Sequence, residues 1–220
     1  MNSPANQQNS RIRQDGSGHT SHTSQSGELS VGEIGQFRTE LLRNCPQFDS
    51  PALARFVNAC FESDQTVVAY LKPMYLPVFT RNRVPTGKTI KSVPMTHALR
   101  AARAAREMAL ISGDTEHHKK LVFVATLLAP AHLFLNTVEN TPYVAGQSKT
   151  LNQHLGELRT QVLLKPLQEL SKWDRSSAAL LATLLGFRST IAVDQELVAR
   201  MEAAVCLATL SIRAMWRVRR

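Results

Sequence analysis

From residue 30 onward, apolar residues recur at intervals of three and four, the spacing of one helix face, and prolines and glycines divide the chain into blocks. Ser30 with Glu33 three positions later forms a capping-box pattern, and Ile34, Phe37, Leu41 and Leu42 follow at helical spacing until Pro46 stops the run. Ser50 and Pro51 open a second helix with Leu53, Phe56, Val57, Cys60 and Phe61 on one face. A short third helix spans about 64–71. Between 72 and 94, Pro73, Pro77, Pro85, Pro94 and Gly87 argue against regular structure, leaving room only for a brief β-hairpin or extended arms around Val78 and Ile90. Further helices are expected at about 95–111 (entered at Pro94, left at Gly113), 116–128 (ended by Pro130, with a turn or two through Phe134), 150–164, 176–185 and 194–217, the last capped by Asp194; 139–146 has the character of a loop.

Residues 1–29 are polar and nearly devoid of large apolar side chains, a composition that cannot offset its ordering entropy, so a disordered tail is expected there. The expectation is one all-α domain of about six to eight helices over 30–220, with an irregular Pro-rich basic segment and a disordered N-terminal tail. Hydrophobic residues are 43% but aromatics only 6%, so Leu, Ala and Val must fill the core, which favours helix. Cys45, Cys60 and Cys206 are odd in number and widely spaced, which argues against a disulfide framework or a zinc site and for buried free thiols. No apolar stretch reaches the ~20 residues a membrane span needs, and the N-terminus lacks a signal-peptide core, so a cytoplasmic protein without membrane partners is expected.

The net charge of +9 becomes informative through its placement. Lys72, Arg81, Arg83, Lys88, Lys91, Arg100, Arg103 and Arg106 fall within 35 positions that hold no Asp or Glu. Phosphate backbones attract such a run, and Tyr70, Tyr75 and Phe79 beside it are candidate stacking surfaces. The basic C-terminus (Arg213, Arg217, Arg219, Arg220) adds to the field. An acidic protein partner and a merely solvated face are the competing readings, with nucleic acid ahead of the protein partner. On a helical wheel His97 falls with Ala101, Ala104, Ala105 and Met108, which directs it toward the interior, away from Arg100, Arg103 and Arg106.

Three segments carry a resemblance to a family. They are Thr96-His97-Ala98-Leu99-Arg100-Ala101-Ala102, then Val124-Ala125-Thr126-Leu127-Leu128-Ala129-Pro130-Ala131-His132, and last Val205-Cys206-Leu207-Ala208-Thr209-Leu210-Ser211. In order and spacing, across about 94–216, they resemble the HD superfamily of metal-dependent phosphohydrolases. The segment Leu163-Leu164-Lys165-Pro166-Leu167 is similar in style to HD-like domains attached to relaxases of conjugative and integrative elements.

The resemblance implies four metal-ligand positions. Of these only His97 carries a ligand, because Ala129 and Pro130 stand at the His-Asp pair and Thr209 at the late Asp. Alanine, proline and an isolated threonine cannot replace imidazole and carboxylate ligands. The expectation is therefore a degenerate domain with no catalytic residues, no cofactor and a vestigial His97, acting as an accessory module for nucleic acid. The first alternative is a phosphohydrolase with a site rebuilt from His97, His132 and His154; adjacent His117 and His118 diverge by about 100° on a helix and cannot both point inward. The second is a protein-interaction module. Gly87-Lys88-Thr89 mimics only the end of a P-loop, and no GxSxG elbow exists.

Overall fold

The computed structural model describes residues 30–48, 50–72, 74–80, 85–131, 151–189 and 191–217. The expected tail at 1–29, the turn through Phe134 and the loop at 139–146 lie outside the described residues. Among those described, eight helices and one hairpin occur: α1 (Val31–Asn44), α2 (Pro51–Cys60), α3 (Asp64–Leu71), β1 (Met74–Phe79), β2 (Pro85–Ser92), α4 (Pro94–Ile111), α5 (Glu116–Leu128), α6 (Leu151–Trp173), α7 (Arg175–Leu184) and α8 (Gln195–Arg217). The fold is all-α apart from the hairpin.

The predicted caps are in place. Ser30 Oγ accepts from the Glu33 N–H at 3.3 Å while Glu33 Oε2 accepts from the Ser30 N–H at 2.7 Å. Ser50 Oγ accepts from the Leu53 N–H, and Asp194 Oδ1 accepts from the Glu196 and Leu197 N–H groups. Gly113 ends α4 in the left-handed region (φ 76°), where a side chain would be strained.

One element sharpens the expectation and another departs from it. Of the two options for 72–94, the hairpin is the one that forms, and it is longer than brief: β1 and β2 pair antiparallel from Met74 opposite Ser92 to Pro77 opposite Thr89, with a register shift between Pro77 and Phe79. A two-stranded ribbon tolerates proline because each strand has an unpaired edge. Second, α6 does not stop near Leu164 but continues through Pro166 to Trp173. Proline removes one helix hydrogen bond, at about 3 kcal/mol. Leu163, Leu167 and Leu170 are all buried beyond and around it, each worth roughly 1.5–3 kcal/mol, so packing of α6 on α2 and α7 outweighs the break.

The core centres on α5, where every residue from Lys119 to Leu128 is buried. A helix apolar all round belongs inside the fold, and α4, α7 and α8 pack around this one, with α4 also against α8. Ala98, Ala101, Ala102, Ala105 and Ala109 form the buried line of α4; their small side chains suit close approach of its neighbours. A second aromatic layer joins the N-terminal helices: Phe61 meets Phe37 at 6.0 Å and Tyr70 edge-on at 5.1 Å. The Tyr70 hydroxyl donates to the Leu127 carbonyl at 2.6 Å, tying α3 to α5.

The cysteines divide. Cys60 is buried and Cys45 half-buried, as expected for inert thiols, and burial pushes the Cys45 thiol up to about 12. Cys206 is exposed, contrary to the expectation, because it lies on the face of α8 away from buried Val205 and Ala208.

One polar network links α5 to α7 at the edge of the core. Asp174 caps α7, accepting the Ser177 N–H at Oδ1 (3.0 Å) and the Ser177 hydroxyl at Oδ2 (2.6 Å). Ser177 Oγ also lies 2.8 Å from His117 Nε2 on α5. The serine hydrogen is given to the carboxylate, so the imidazole Nε2–H donates to Ser177. Asp174→Ala removes the cap and strips buried Ser177 of its acceptor. It is expected to cost about 1–2 kcal/mol, read as a fall of a few degrees in the thermal midpoint at pH 7. An unchanged midpoint would contradict the capping role.

Candidate nucleic-acid interface

The hairpin and the start of α4 carry the basic run. Lys88 and Lys91 are exposed on β2, and Arg100 and Arg103 are exposed on α4. The arginines face outward because the alanine line of α4 faces α5 and α8, which leaves positions 96, 100, 103, 104 and 107 on the opposite side. No described carboxylate pairs with any of these four cations. Arg103 Nη2 donates to Asn44 Oδ1 at 2.7 Å, a neutral acceptor that orients the guanidinium.

The remaining members of the run differ. Arg106 is half-buried and pairs with Glu116 at 3.4 Å, so it serves the α4–α5 junction. Hydrogen bonds and charge from Lys119, then from Arg106, hold the Glu116 carboxyl below its usual range. Lys72 is half-buried at the end of α3 and takes part in another interaction. Arg81 and Arg83 lie outside the described residues, as do Arg219 and Arg220. Arg213 and Arg217 are in α8, with their side chains outside the description. Tyr70 is fully buried and hydrogen-bonded, so it offers no stacking surface, in contrast to the expectation. The side chains of Tyr75 and Phe79 are outside the description.

His97 also moves from its expected place. It is half-buried on the border of α4, not among the interior residues, and Ala104 is exposed. The buried line runs through Ala98 and Ala105, one position beyond the face the wheel selected. Burial, then the Arg100 charge, lowers the His97 pKa and so favours the neutral ring.

At the other positions that the sequence resemblance singles out, Thr209 is buried and its hydroxyl donates to the Val205 carbonyl of its own helix at 2.8 Å; Ala129 is half-buried and Pro130 buried. Among the described residues, no three His, Cys, Asp or Glu side chains are grouped to hold a metal ion. His132 and the side chain of His154 fall outside the description. His117 is exposed and committed to Ser177, whereas burial of half-buried His118 lowers its pKa.

A separate cleft of about 450 Å³ lies between α2, α3 and α6, with Cys60, Thr66, Lys165 and Glu169 in its lining. Its rim charges are mixed, with Glu62 and Glu169 beside Lys165, and Glu169 is paired with Lys172 at 2.6 Å. Sequence reasoning missed the Asn44 support of Arg103, which no local pattern announces. It also missed the Asp174 cap, although Ser177 follows Asp174 at capping distance. No protein-family model, curated protein or solved structure matches the chain.

Proposed function

We propose that this chain is a non-catalytic, HD-like helical module that binds nucleic acid, in the setting of conjugation or another mobile element. The observation that carries the binding is that Lys88, Lys91, Arg100 and Arg103 are all exposed, unpaired with any described carboxylate, and set in a stretch of 35 positions without an acidic residue. Phosphates are the chemical match for such a surface, and its contribution is electrostatic and independent of base sequence. The HD-like part of the reading is supported by α4, α5 and α8: the helices bearing the three resembling segments are mutual neighbours. The loss of catalysis is supported by Ala129, Pro130 and Thr209 at the ligand positions.

The test is a titration of labelled DNA over a salt series from about 50 to 200 mM. Binding weakens steeply with salt, and Arg100→Ala with Arg103→Ala reduces the log–log slope by about 1.8, at roughly 0.9 per phosphate contact. Salt-insensitive or absent binding overturns the reading. Separately, stoichiometric metal in the purified protein that disappears on His97→Ala would overturn the non-catalytic part.

A further inference from the structure

The hairpin is an unusual element for this fold. Its strands pair with each other, and no described helix packs broadly along either one. An isolated two-stranded ribbon is marginal in water and gains stability from whatever covers it. A second copy of this chain is a poor cover, because two ribbons bearing Lys88 and Lys91 would repel. An anionic partner has the complementary charge.

The ribbon's shape narrows the partner. Lys91 stands opposite Tyr75 in the regular part of the ladder. Lys88 follows Gly87, whose φ of 74° lies in the irregular stretch beyond Thr89; a bulge with a left-handed glycine sharpens the twist of a ribbon. Lys88 and Lys91 are three residues apart, about 10 Å along the strand, so they can engage separate phosphates. Arg100 and Arg103 follow on α4, directly after the ribbon. The major groove of B-form DNA, about 12 Å wide, admits a two-stranded ribbon, whereas the A-form major groove is too narrow to enter. Single-strand binding relies on stacking platforms; Tyr70 is buried and does not supply one, so the comparison with a single strand is an arm of the test.

We infer that β1–β2 is a DNA-reading arm that enters the major groove of duplex DNA, with Arg100 and Arg103 on the flanking phosphates. This rests on the nucleic-acid reading above and adds the duplex, its form and the groove.

The experiment compares the full chain on one sequence of about 20 base pairs, two turns of duplex, as duplex DNA, duplex RNA and single-stranded DNA, by fluorescence anisotropy at fixed salt. Duplex DNA is expected to bind at least about tenfold tighter than the other two. Lys88→Glu with Lys91→Glu removes most of that preference while far-ultraviolet circular dichroism is unchanged. With wild-type protein, guanine N7 groups in the duplex are protected from methylation, because N7 faces the major groove. Lys88 and Lys91 are in turn protected from acetylation by the duplex. Equal affinity for duplex RNA, a preference for single strands, or unprotected N7 overturns the arm and leaves the general nucleic-acid reading intact. Failure to bind all three nucleic acids overturns both.

Discussion

Phe61→Ala is expected to destabilise the protein by about 3–5 kcal/mol, the range for removing a fully packed aromatic side chain. Phe61 is 2% exposed, at the end of α2, where its ring meets Phe37 of α1 and Tyr70 of α3. Three helices therefore border the cavity that truncation leaves, and none closes it without shifting. Displacement of Tyr70 also endangers the hydroxyl bond to the Leu127 carbonyl that fastens α3 to α5. The Phe61 carbonyl still accepts from Arg38 Nε at 2.9 Å, since the substitution spares the backbone, so the loss is one of packing. For a domain with a typical stability of about 5–15 kcal/mol the change is a large fraction of the total. Urea unfolding checks it: the midpoint falls and the slope is retained. A loss below about 1 kcal/mol would mean that the three-ring layer collapses without penalty, in conflict with close packing.

Most of the fold was legible from local signals. Ser30 with Glu33, Ser50 with Pro51, and Gly113 act within one helical turn, so they mark ends whatever the tertiary structure does. Pro166 misled because its cost is local and visible, whereas the compensating burial of Leu163, Leu167 and Leu170 against α2 is set by residues some hundred positions away. The hairpin was only half legible: prolines mark what a strand interior disfavours, but not that a free-standing ribbon has edges that accept them. His97 was misplaced because a run of alanines defines its buried side poorly. In Thr96–Met108 several wheels fit equally well, and the neighbours α5 and α8 choose among them. The basic run was legible, but not which of its cations are engaged elsewhere in the fold. The sequence alone could not separate Arg106, which serves Glu116, from Arg100 and Arg103, which serve no described carboxylate.

That separation leads to the second large effect. Reversing Lys88, Lys91, Arg100 and Arg103 to glutamate together is expected to abolish measurable DNA binding. Each phosphate contact contributes a slope of about 0.9 and is worth roughly tenfold at about 50 mM salt, so removing four lowers affinity by about 10⁴-fold and the slope by about 3.6. The fold is expected to survive, because all four side chains are exposed and, of the four, Arg103 alone gives up a side-chain hydrogen bond to a described residue, Asn44. Arg106→Ala is the discriminating control. If any positive charge in the run served equally well, it would cost the same per residue as the other four. If the four exposed cations are what binds, Arg106→Ala changes affinity by less than about threefold, because its charge is already engaged by Glu116; its effect would fall instead on the α4–α5 junction, and modestly, as exposed ion pairs contribute about 0–1 kcal/mol. Anisotropy titrations of the two variants, paired with thermal melts, test the assignment. A quadruple variant that binds as tightly as the parent, or an Arg106→Ala variant that loses as much affinity as Arg100→Ala, would move the interface elsewhere on the molecule.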